Sequence, residues 1–144
     1  MSPEQKALVQ ENWRKLAPAA DAVARLFYDR LFATDPTTRP LFGGADLTEQ
    51  RRKLVQTLTV VVEGLDRLDA LVPAVADLGR RHARYGVNES HYGTVGAALL
   101  WTLEQKLGPG WTPEVKAAWQ GAYTVLADVM RGAAREVERA GTPA

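Results

Sequence analysis

The 144 residues fit one domain able to bury a real core, and a net charge of +1 with 24% charged residues gives no strong field for nucleic acid or an anionic membrane. The basic runs at 51–53 and 80–81 lack the interleaved aromatics of a single-strand groove, and the absence of cysteine excludes disulfides, thiolate metal sites and cysteine nucleophiles. No apolar run approaches the roughly 20 residues of a membrane span, and Ser2-Pro-Glu-Gln-Lys6 is polar from the start, so the expectation is a cytoplasmic protein with one domain over 1–144.

Ser2 before Pro3, with Gln5 three positions on, predicts an N-cap and a first helix. Leu8, Val9, Trp13 and Leu16 form its apolar stripe, and Pro18 ends or bends it. A second helix is expected from about Ala19 to Ala33, with Val23, Phe27, Leu31 and Phe32 inward. Thr34-Asp-Pro-Thr-Thr-Arg-Pro40 allows only a short, proline-bounded turn. Gly43 and Gly44, directly after Phe42, predict a sharp corner beside an anchored aromatic ring. Thr48 is the expected cap of the next helix, whose face carries Leu54, Leu58, Val61, Val62 and Leu65. Gln50 lies one turn before Leu54 on that face, either at a solvated helix start or aimed into a pocket.

Leu68, Leu71, Val72, Val75, Leu78 and Gly79 then recur at helical spacing, and His82 projects from the same apolar face. A buried imidazole without a partner costs roughly 1–3 kcal/mol. Its partner is a backbone carbonyl, a carboxylate or a metal, and spacing alone does not choose among them. This helix breaks near Tyr85-Gly86, and Asn88 caps one carrying Tyr92, Val95, Gly96, Leu99, Leu100, Leu103 and Leu107. His91, nine residues beyond His82, is half a turn out of phase with it and is expected to cap its helix or face solvent. Gly108-Pro-Gly110 is a stop, and Thr112-Pro113 opens the last helix. The inner face of that helix runs through Val115, Ala118, Trp119, Ala122, Val125, Leu126, Val129 and Met130. The polar segment from Arg135 to Arg139 is expected to fray, and 141–144 to form a loose tail.

No alternating strand pattern and no repeat occurs, so the fold class is all-α. Irregular helix lengths and the Gly-Gly break fit globin-like packing better than an up-down bundle. The residues resemble bacterial single-domain globins of the flavohaemoglobin-related group, and neuroglobin in the second half. The resemblance rests on Leu26-Phe-Tyr-Asp-Arg-Leu-Phe32, Pro40-Leu-Phe42, Gln50-Arg-Arg-Lys-Leu54 and Leu78-Gly-Arg-Arg-His-Ala-Arg-Tyr-Gly-Val87. His91-Tyr-Gly-Thr-Val-Gly-Ala-Ala-Leu-Leu100, the turn from Leu107 to Pro113, and Ala117-Ala-Trp119 to Tyr123 continue it in order. It implies a single globin domain of about six to eight helices enclosing a haem pocket.

The resemblance also implies roles. His82 matches the proximal ligand to the iron of haem b, and Phe42 the aromatic packed against the haem ring. Tyr28, Gln50 and Leu54 match distal positions, where a hydroxyl and an amide donate to a bound gas. Because Gln50, a poor ligand, stands where a distal histidine could, the ferrous iron is expected to be five-coordinate. Tyr92 and Glu136 match a proximal pair that would push electron density toward the iron, the glutamate by ungapped spacing from Trp119. Lys53 and Arg81 are candidate propionate partners, Arg52 and Arg80 scarcely less so, and Tyr85 is counted with the haem contacts. The implied function is binding of O2, NO and CO, serving O2 delivery or, as an enzyme, nitric oxide dioxygenation. No G-x-G-x-x-G fingerprint follows a strand, so turnover is expected to need a separate reductase. The alternative is a gas or redox sensor acting through a partner protein. A haem-free structural role would leave His82 on an apolar face without a purpose.

Overall fold

The computed structural model describes residues 1–42 and 46–141, with side chains to 137; the Gly43-Gly44 corner and the tail at 142–144 lie outside the described residues. Six α-helices account for most of it: α1 Pro3–Leu16, α2 Ala20–Thr34, α3 Leu47–Glu63, α4 Leu68–Arg84, α5 Glu89–Leu107 and α6 Pro113–Gly141. Short 3₁₀ turns connect several of them, at Ala17–Ala19, Pro36–Phe42, Leu65–Arg67 and Gly108–Gly110, and no strand occurs among the described residues.

The helix starts follow from local chemistry. Ser2 and Gln5 form a reciprocal box: the Ser2 Oγ accepts the Gln5 N–H at 3.1 Å, and the Gln5 Oε1 accepts the Ser2 N–H at 3.0 Å. The cap of α3 is Asp46 rather than Thr48. Its carboxylate accepts the Thr48 N–H at 2.9 Å, so Thr48 supplies a donor inside the first turn instead of capping it. Asn88 caps α5 through the Ser90 N–H at 3.0 Å, and Thr112 caps α6 through the Val115 N–H at 3.2 Å. α4 stops where Gly86 takes a φ of +97°, a left-handed conformation that glycine adopts without a Cβ penalty. α6 does not fray at Arg135 and runs on to Gly141, because Ala127, Met130 and Ala134 extend its buried face beyond the stretch that periodicity marks most strongly.

Packing joins α4 to α6, α2 to α5, and α1 to both α6 and α3. The main core holds Val9, Trp13, Phe27, Leu31, Leu65, Leu103 and Trp119. Its indoles are satisfied: Trp119 donates to Asn12 at 3.0 Å and Trp13 donates to Thr59 at 3.0 Å. A second cluster (Val75, Tyr92, Ala127 and Met130) seats α4 on α6. At the crossing, a Cβ on Gly79 would stand 2.5 Å from the Met130 carbonyl oxygen, so only glycine admits this approach. α3 and α4, by contrast, make few direct contacts with each other. The faces carrying Gln50 and His82 therefore belong to helices that are held apart.

Candidate functional site

His82 lies in the last turns of α4, half-buried, with its Nδ1 at 2.8 Å from the Leu78 carbonyl oxygen. A carbonyl only accepts, so Nδ1 carries the proton and Nε2 keeps its lone pair. Among the described residues no hydrogen bond reaches Nε2. Burial holds the imidazole pKa below its ordinary value; the Leu78 bond opposes that shift and the Arg81 charge adds to it. The ring is thus neutral at physiological pH and turned so that one nitrogen is free to ligate.

Tyr28, on α2, is buried in a ring cluster, with Phe27, Phe32 and Phe42 at centroid distances of 5.1, 5.8 and 5.5 Å. Its hydroxyl lies 3.5 Å from the Gln50 backbone oxygen, a long and weak bond that leaves the proton available to another acceptor. Burial pushes its pKa up to about 12, so it stays a donor throughout the physiological range. The structure thereby brings together Tyr28, Phe42 and the first turn of α3. Gln50 and Leu54 are half-buried on that helix. Around it, Arg51 reaches Asp21 at 2.9 Å and Arg52 pairs with Glu49, while Lys53 is exposed with no ion pair among the described residues. Arg81 is paired along its own helix with Asp77 at 3.3 Å. Tyr85, 65% exposed, has its ring 6.4 Å from that of His82.

On the other side of α4, Tyr92 packs in the cluster that includes Val75, Leu78 and Val87, residues flanking His82 in the chain. Its hydroxyl is buried and has no hydrogen-bond partner among the described residues. Glu136 does not reach it. The Glu136 carboxylate is 60% exposed and meets Arg80 at 3.2 Å, because residue 136 lies about 200° around α6 from residue 134. Among the described residues, those of α6 that line a small cavity with Tyr92 are Arg131, Ala134 and Arg135. The Arg131 guanidinium stands 5.1 Å over the Tyr92 ring, and its Nε lies 3.2 Å from Glu89, out of line for a hydrogen bond. Sequence reasoning missed Arg131 and Ala134, although Ala127, Met130 and Ala134 recur at i, i+3 and i+7 and mark the inner face past Met130. His91 is buried and acts as a cap, its Nδ1 accepting the Asn88 N–H at 3.0 Å.

Residues 25–130 match the globin family. The chain belongs to that family. This globin is 34% identical over 137 residues to a flavohemoprotein of Bordetella parapertussis, covering 94% of the chain and 34% of the relative. A flavohemoprotein of Bacillus subtilis is 29% identical over 119 residues, covering 81% of the chain and 30% of the relative. The chain thus spans about a third of the length of these curated relatives. A solved bacterial globin from Campylobacter jejuni superposes with a TM-score of 0.86 at 23% identity, covering 96% of this chain and 99% of that one, a likeness of fold.

Globins are haem-binding proteins, and the residues present fit that group. The oriented imidazole offers a neutral nitrogen, as an iron ligand must. The helices carrying His82 and Gln50 stand apart, while Phe42, Leu54 and Val87 remain half-buried and Tyr85 exposed, apolar surface left for a planar apolar partner. Among the described residues no cluster of three or more His, Asp or Glu could hold a metal ion. No helix among them is long and apolar enough to cross a membrane.

Proposed function

We propose that this globin holds haem b between α3 and α4 and binds O2, NO and CO there. The observation that carries the reading is the His82 imidazole: Nδ1 is spent on Leu78, burial keeps the ring neutral, and Nε2 is left to ligate. Bound ferrous haem supplies the iron at which a diatomic gas attaches. Phe42 and Leu54 pack against the group, while Lys53, Arg81 and Tyr85 meet its polar edge, the cations facing the propionates. The Tyr28 phenol, its proton retained by burial, and the Gln50 amide donate to a gas lodged beside them and slow its escape. Glutamine is a poor iron ligand, so the Gln50 side stays open and the ferrous protein is five-coordinate. The same pocket serves O2 delivery and, with one electron per turnover from a separate reductase, conversion of NO and O2 to nitrate.

The deciding experiment compares absorption spectra of wild type and His82→Ala, each expressed with haem available. A strong Soret band in the wild type, lost or changed in ligation in the variant, is expected. A folded wild type without a Soret band overturns the haem reading. A six-coordinate ferrous spectrum without added ligand overturns the open distal side.

A further inference from the structure

Both buried side-chain atoms that lack a hydrogen-bond partner among the described residues, the Tyr92 hydroxyl and the Arg131 Nε, belong to residues lining one cavity behind α4. A buried hydroxyl without an acceptor costs free energy, so such a vacancy calls for an account. Among the described residues the only carboxylate lining that cavity is Glu89, which lies 3.2 Å from Arg131 and 3.4 Å from Arg135, facing those two guanidiniums. Asp128, 66% exposed, takes the other side of Arg131 at 3.5 Å. Where α6 passes Tyr92 it presents the Cβ of Ala134, which is buried. The carboxylate nearest along the helix, Glu136, points toward Arg80 at 3.2 Å.

We propose that the proximal side of this globin has no anionic relay: His82 serves the haem as a plain neutral imidazole held by the Leu78 carbonyl, and Ala134 and Arg131 are the residues that keep it so. This rests on the haem reading above and deepens it. A carboxylate accepting from a ligating histidine, directly or through a phenol, raises the basicity of the imidazole and stabilises the ferric state. Here the acceptor of Nδ1–H is an uncharged carbonyl, the phenol behind it has no acceptor for its proton among the described residues, and a cation stands 5.1 Å over its ring. The ferrous state is favoured, and with it reversible gas binding over oxygen activation.

The test is made on the haem-loaded protein with Ala134→Glu, its neutral isostere Ala134→Gln, and Glu136→Gln. It reads the iron–histidine stretching band of the ferrous form and the midpoint potential. Ala134→Glu should raise the band and shift the ferric-to-ferrous ratio at least tenfold toward ferric relative to Ala134→Gln, about 59 mV for a one-electron couple. Glu136→Gln should move neither readout, and it applies even if a carboxylate at 134 is not tolerated. Equal behaviour of the Glu and Gln variants at 134 overturns the proposal, as does a fall in the band on Glu136→Gln. Failure of the haem reading is distinct, because it appears as a missing Soret band in the wild type.

Discussion

At the scale of single residues, burial decides which groups donate and which are spent. Tyr28 has its phenol pKa raised to about 12 by burial alone, so it contributes stability in full below its unfolded value near 10, lost as pH rises toward 12. The loss should approach about 2–3 kcal/mol across that window, and urea titrations at several alkaline pH values should show it reduced in Tyr28→Phe. The same substitution removes a donor from the proposed gas pocket, and stopped-flow measurement should show O2 leaving at least about tenfold faster, near 1.4 kcal/mol. An unchanged off-rate would mean that the phenol does not face the gas. Asn12 poses the opposite case. Its Oδ1 is the acceptor for the Trp119 indole at 3.0 Å inside the core, so Asn12→Ala should cost about 1–3 kcal/mol by leaving a buried N–H unpaired. The imidazole of His82 was visible from spacing because its helical face is apolar. Its Leu78 bond was one of several open choices, since spacing does not tell a carbonyl from a carboxylate.

At the scale of elements, caps and stops are written locally and crossings are not. The Ser2–Gln5 box, the Asn88 cap and the Gly108–Gly110 stop depend on residues within a few positions of each other, and each stands where the residue types put it. The α3 cap moved from Thr48 to Asp46 because both can accept, and only the position of the first helical residue chooses between them. The proximal face of α6 went astray for a longer-range reason: a count from Trp119 fixes a position but not which side of a helix meets Tyr92. Gly79 shows what a crossing demands. Gly79→Ala places a Cβ within 3 Å of the Met130 backbone, which cannot swing aside as a side chain could. The helices must part, at about 1–3 kcal/mol, carrying His82 with them. Gly93 is the control, also mid-helix but with nothing within 4 Å of its Cβ position. Gly93→Ala should be neutral or stabilising by about 0.4–1 kcal/mol. Chemical denaturation of both variants, with the haem spectrum of Gly79→Ala, checks the contrast.

For the whole molecule, the two clusters differ in how much each secures. The larger joins α1, α2, α3, α5 and α6 through Trp13, Phe27, Leu58, Leu103 and Trp119, whereas α4 is seated by the smaller cluster around Val75, Tyr92 and Met130. Part of the α4–α6 junction is also open: an aliphatic cleft bounded by Leu68, Leu71, Val75, Val125 and Val129 leaves side chains there without full contact. α4 packs on α6 and scarcely on any other helix, so it should be the first helix to loosen. Haem bound through His82 would add a tether to α4. A ligand present at 1,000 times its dissociation constant stabilises by about 4.1 kcal/mol, all of it lost on removal. Amide exchange should therefore divide the chain: on haem extraction, protection falls most over 68–84, while 3–16 and 113–122 in the large core change little. Uniform loss of protection would mean that α4 and the core unfold as one unit, and that the cofactor completes the whole fold rather than one helix of it.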